Sequence, residues 1–187
     1  MNIVKDMAQR FRNAIEDAKE DGCFVGDMTF WQFPYECCGD ASYLLAEYLM
    51  EHDIDSIWYS ANKGDCSHAW LVIDDDNVEP QVCSQISYPE SIRNLLSLYS
   101  GRNVNATENN IRYVEECFVN CNIVDITGDQ FRDYDIPVYY GRMDYFHRSW
   151  EFIDAYDFEG LESICRRTDD RLKKLYSIAL RYMNKIH

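Results

Sequence analysis

The chain has 187 residues, enough for a single domain over 1–187 with a substantial core. Hydrophobic residues make up 47% and aromatic residues 14%, which excludes a disordered or fibrous class, and the net charge of -15 argues against non-specific binding of nucleic acid or anionic membrane. No run approaches the roughly 18 apolar residues that a membrane-crossing helix needs.

Taken in chain order, residues 3–20 predict a helix: Ile3, Met7, Phe11, Ala14, Ile15 and Ala18 recur at helical spacing and Gly22 closes it. Residues 23–36 read as irregular, broken by Gly26, Asp27 and Pro34. Residues 38–51 predict a second helix with Ala41, Leu44, Leu45, Tyr48 and Leu49 on one face and Asp40 in the first turn. Strands are expected at Ile54–Ser60 and His68–Ile73, with a turn over Asn62–Asp65 between them. After an acidic turn at Asp74–Asn77 come a strand over Val78–Ser84, a helix over 89–100 and a helix over Glu108–Cys121. Ile123–Thr127 reads as a strand, Val138–Tyr140 as an edge pairing, and 159–186 as a final helix. The expected fold class is α+β, with helices packed on a mostly antiparallel sheet.

The eight cysteines are Cys23, Cys37, Cys38, Cys66, Cys83, Cys117, Cys121 and Cys165. The first residues lack the apolar run of a signal peptide, so the expectation is a cytoplasmic chain with reduced thiols, leaderless export being the alternative. Cys66 and His68 share one face of a strand and, with Cys37 or Cys38, would make a partial zinc site; four ligands do not emerge, so no metal or other cofactor is expected.

Three short motifs carry chemistry. Cys38-Gly39-Asp40 opens a helix, His68-Ala69-Trp70 opens a strand, and Asp125-Ile126-Thr127 lies in a later apolar strand. A helix N-terminus favours a thiolate, an imidazole supplies the base, and an acid buried in an apolar strand needs a partner such as that imidazole. Cys37 is the rival nucleophile, one residue upstream. Gln32, six residues before Cys38, is a candidate oxyanion donor, with Trp31 and Tyr35 as substitutes; Trp31, Tyr35 and Trp70 are candidate aromatic groove contacts.

With these residues assembled, the chain resembles the transglutaminase-like and papain-like thiol enzymes over residues 30–131. Cys38-Gly-Asp-Ala-Ser-Tyr-Leu-Leu, His68-Ala-Trp-Leu-Val-Ile and Asp125-Ile-Thr127 follow that order and character. Phe33-Pro34 through Cys38, with Asp125 through Phe131, is similar to a group of bacterial domains of this superfamily, some associated with toxins. The resemblance implies a papain/transglutaminase-like fold, a Cys38–His68–Asp125 triad, and a protein or peptide substrate, with an inhibitor or immunity protein as a further partner. It departs from that pattern between His68 and Asp125, where residues 79–121 read as a helical insertion. Two functions follow: a thiol acyl-transfer enzyme (protease, amidase or deamidase, with transglutaminase-type crosslinking as a variant), or a binding module that keeps the fold without the chemistry.

Overall fold

The structure is a computed structural model that describes residues 2–73, 118, 121–158, 160–161 and 169–185. Among them it is mixed α and β, with three long helices and a five-stranded antiparallel sheet. Helix α1 is Ile3–Glu20, α2 is Cys38–Met50 and α3 is Asp169–Met183. The strands are β1 (Ser56–Lys63), β2 (Cys66–Ile73), β3 (Asn122–Asp125), β4 (Tyr139–Arg142) and β5 (Glu151–Asp157), in the order β4-β3-β2-β1-β5. The strand over Val78–Ser84, the helix over 89–100, most of the helix over Glu108–Cys121, and hence the 79–121 insertion, lie outside the described residues.

Helix α1 starts where Asn2 Oδ1 accepts the Lys5 N–H at 3.1 Å, which satisfies one of the donors that a helix start leaves free. Its apolar stripe (Met7, Phe11, Ala14, Ile15, Ala18) is buried, and Phe11 stacks on Tyr48 of α2 with ring centroids 5.3 Å apart. Ser42 of α2 donates to the Ala69 carbonyl of β2 at 3.1 Å, and the Trp58 indole of β1 donates to the Gly39 carbonyl at 3.2 Å. These two bonds hold the head of α2 against the sheet.

The strand bounds differ from expectation: β2 begins two residues early, at Cys66, and β3 covers Asn122–Asp125, stopping short of Thr127. β1 begins two residues later than Ile54 and continues to Lys63, so the expected four-residue turn contracts to Gly64-Asp65, with Gly64 at φ +62° where other residues are strained. β4 does form the sheet edge, over Tyr139–Arg142. β5 was not anticipated: only Ala155 is buried, and Asp154 and Asp157 depress the strand signal. Pairing with β1 overrides that composition, with a register shift between Ser60 and Ala61.

Strand alternation splits the sheet into two faces. Leu71, Ile73 and Val124 join the helices in one core; Trp70, Val72, Ile57, Tyr59 and Ile123 join Tyr134, Met143, Phe146 and Trp150 in another. One buried cation links the first core to the chain beyond β3. Arg12 of α1 donates to both Asp129 carboxylate oxygens (2.8 and 2.7 Å) and to the carbonyls of Ile126 (2.6 Å) and Pro137 (2.7 Å), and pairs with Glu16. Burial disfavours its charge, but Asp129 and Glu16 more than offset this and hold the guanidinium protonated. Arg12→Ala is expected to destabilise the chain by about 3 kcal/mol, because Asp129 and two carbonyls lose their donor. Urea denaturation checks this; a loss below about 0.5 kcal/mol would place the anchor elsewhere.

Candidate active site

Register brings the expected base and acid together. Leu71 pairs with Val124 and Val72 with Ile123, so continuing the ladder sets Asp125 beside Trp70 and diagonal to His68, all on one face. His68 Nε2 lies 2.8 Å from Asp125 Oδ2, and both side chains are buried. Asp125 Oδ1 in turn accepts the Thr127 backbone N–H at 2.9 Å and its hydroxyl at 3.3 Å. A carboxylate only accepts, so Nε2 of the ring carries hydrogen and Nδ1 faces the other way.

Cys38 is the first residue of α2 and is half-buried. Burial opposes a charged His68, but the Asp125 carboxylate outweighs it, and the Cys38 thiol adds both hydrogen-bonding and charge contributions; together they raise the imidazole to about 9. Since Asp125 occupies Nε2, Nδ1 is the ring nitrogen that faces the rest of the site. Asp125 is held well below the usual carboxylate range: its burial pulls the other way, and the His68 charge with hydrogen bonds from His147 and His68 prevails.

Cys37 sits differently. It is buried, its Sγ approaches the Pro34 carbonyl at 3.3 Å, and burial, reinforced by Cys38 and Asp40, pushes its thiol well above the usual range. The helix head is braced by Arg171 of α3, which donates to Asp40 Oδ2 at 2.7 Å and to both oxygens of Asp27 at 2.8 Å. Arg171 and two backbone N–H groups prevail over burial and bring Asp27 down to about 2.

The aromatic and amide candidates separate. Trp31 and Tyr35 are exposed, along with Val25 and Met28, on the segment leading to Cys38. Trp70 is a correction: it is fully buried, 5.4 Å from the His68 ring and 5.2 Å from the His147 ring between centroids, so it packs the imidazoles instead of lining a groove. Gln32 is engaged locally, donating to Glu36 Oε2 at 2.8 Å. The carboxamide that reaches the His68 ring belongs to Gln130. Its oxygen accepts the Glu36 N–H at 3.2 Å, and its nitrogen donates to the Thr127 carbonyl at 3.0 Å and lies 3.4 Å from His68 Nδ1.

His147 was also passed over in the sequence, where it stands among charged residues. It is buried, with Nε2 at 3.3 Å from Asp125 Oδ2 and Nδ1 at 2.8 Å from Asp144 Oδ1. The available signal was Asp144-x-x-His147 in an aromatic setting, Tyr145-Phe146 and Trp150, since an acid three residues ahead of a histidine in a tight turn fixes one ring nitrogen. Space is tight behind the carboxylate: a Cβ on Gly128 would come within 2.8 Å of both Asp125 Oδ2 and the Tyr134 ring.

Cys23, Cys37, Cys38 and Cys66 are free thiols. Among the described residues no group of three His, Cys, Asp or Glu side chains is placed to hold a metal ion, and no helix is long and apolar enough to cross a membrane. No family model matches the chain, and comparison with curated proteins and with solved structures returns no match.

Proposed function

We propose that this chain is a thiol acyl-transfer enzyme of papain/transglutaminase-like fold, in which Cys38 attacks a peptide or carboxamide carbonyl. The observation that carries this reading is the buried His68–Asp125 pair at 2.8 Å, with Cys38 at the head of a helix packed on the His68 strand and acting on the His68 ring. A Cys-headed helix packed on an antiparallel sheet, with base and acid on its adjacent strands β2 and β3, supports the fold assignment.

In the proposed reaction the Cys38 sulfur, its proton passed to His68 Nδ1, forms a bond to the carbonyl carbon. The oxyanion is met by the Cys38 backbone N–H and by the Gln130 amide, which lies beside Nδ1. The imidazolium then gives its proton to the leaving nitrogen as the carbon–nitrogen bond breaks, leaving a thioester. Water, deprotonated by His68, attacks that thioester and releases the acid and the free thiol. Water is the default acceptor, which makes the enzyme a protease, amidase or deamidase; crosslinking would need an amine admitted in its place. Trp31 and Tyr35, exposed just ahead of Cys38, are the proposed contacts for a protein or peptide substrate. The free thiols fit a reducing, cytoplasmic compartment.

The test is alkylation with iodoacetamide near pH 6. One cysteine, Cys38, should label stoichiometrically and at least about tenfold faster than the rest, and His68→Ala should remove that advantage. Slow, equal labelling of all accessible thiols would favour a binding module that uses the exposed Val25, Met28, Trp31 and Tyr35 without chemistry.

A further inference from the structure

The mechanism above leaves a buried histidine unused. His68 and His147 approach the same carboxylate oxygen, Asp125 Oδ2, at 2.8 and 3.3 Å. The far nitrogen of His147 meets Asp144 Oδ1 at 2.8 Å. Asp144 is itself fixed: the backbone N–H groups of Phe146 (3.0 Å) and His147 (3.1 Å) converge on Oδ1, and the Tyr134 hydroxyl donates to Oδ2 at 3.0 Å. Burial opposes the Asp144 charge, but the His147 bonds overcome it and hold the carboxyl below its ordinary range.

Both neighbours of the His147 ring are therefore carboxylates, which only accept. The ring satisfies both together only when each nitrogen carries hydrogen. The result is an alternating row, buried at His68, Asp125 and His147 and ending at the part-exposed Asp144. Among the described residues the other polar groups facing His147 are the Tyr134 and Tyr139 rings, at 5.5 and 5.0 Å between centroids, and Trp70 of β2 and Phe146 pack on it as well. Arg148 acts on Tyr139, and burial pushes both tyrosine hydroxyls up, so neither tyrosine competes as an anion near neutrality.

We propose that His147 is a positioning residue, which with Asp144 fixes the Asp125 carboxylate against His68 and, as a second donor on the same oxygen, limits how tightly His68 keeps its proton. Thr127 holds Oδ1 and His147 holds Oδ2, so the carboxylate cannot rotate away from the ring. Sharing Oδ2 between two donors also weakens its pull on either. A base that must both take the thiol proton and return it to a leaving group is served by that moderation. The catalytic meaning of this proposal depends on the thiol-enzyme reading; the geometry of the row does not.

The experiment follows the His68 imidazole signals by ¹H–¹⁵N NMR from pH 5 to pH 11 in the full chain, assigned by single histidine replacements. In His147→Gln the His68 midpoint should rise by about one pH unit, since the ring that shares Asp125 Oδ2 with His68 is gone. Asp144→Asn should move it the same way by a smaller amount, because His147 loses its anchor, and this second variant decides the matter if the first does not fold. A His68 midpoint unchanged in a cooperatively folded variant would reduce His147 to a core-filling residue and overturn the proposal. Iodoacetamide labelling of the same wild-type sample separates the two ideas. Selective Cys38 labelling with an unmoved midpoint sinks only the role of His147, whereas a moved midpoint without selective labelling sinks only the thiol-enzyme reading.

Discussion

Cys38→Ala is expected to abolish the proposed acyl transfer, by at least about 10⁴-fold, with the fold retained. The reason is the lack of a substitute among the described residues. Only Cys38 heads α2 and acts on the His68 ring. Cys37 is adjacent in sequence, yet it is buried, turned toward the Pro34 carbonyl, and has a thiol that its surroundings hold protonated. Loss of one half-buried sulfur should cost no more than about 1 kcal/mol, because His68 keeps its Asp125 bond and has the Gln130 amide beside Nδ1. Release of nitrophenol from an activated acyl ester, followed beside a urea melt, measures both. Activity surviving in Cys38→Ala but lost in Cys37→Ala would move the nucleophile by one residue.

The second large effect concerns Asp125. Asp125→Asn should lower turnover by about 10³-fold while leaving measurable activity. The carboxylate forces hydrogen onto Nε2 of His68, which in the proposed reaction leaves Nδ1 for the thiol. An asparagine amide can present its own N–H to Nε2, which transfers the ring's hydrogen to Nδ1 and removes the base. The same pair shapes stability against pH. His68 is raised from its ordinary 6.5 to about 9, so its contribution is complete below about pH 6.5 and is lost as pH climbs through 9. Asp125 is depressed, so its contribution is present above its ordinary 3.8 and is lost as pH falls below that range. Wild-type unfolding free energy should therefore decline between pH 6.5 and 9. In Asp125→Asn that alkaline decline should flatten, because the group that holds the His68 proton is gone. An alkaline limb of equal steepness in both chains would mean that some other group titrates there.

The pairing of His68 with Asp125 is legible in the sequence, as is the start of α2 at Cys38. Cys38, His68 and Asp125 stood out because each carries a local oddity: a thiol at a helix start, an imidazole at a strand start, a carboxylate among β-branched residues. The two long amphipathic helices, α1 and α2, were readable for the same kind of reason, since a 3.6-residue stripe is a local property. Gln130, His147 and Arg12 were not legible, because what matters about them is a partner. Arg12 interrupts an apolar stripe, and only the return of residues 126–137 onto α1 gives it a carboxylate and carbonyls to bind. Gln32 and Gln130 are the same residue type near the same motifs, and spacing alone does not tell which amide faces the ring; the turn after β3 aims Gln130 inward. Trp70 was misassigned because alternation in β2 does not reveal that both faces of this central strand are covered. β5 was missed because its solvent-facing acids hide a strand that pairing with β1 stabilises.

Intact-mass trapping with a panel of electrophilic peptide probes, followed by mapping of the adduct, bears most directly on the chemistry at Cys38. One adduct per chain on the Cys38 sulfur, formed in wild type and absent in His68→Ala, is the expected result. Adducts spread over Cys23, Cys38 and Cys66 at rates indifferent to His68 would contradict it.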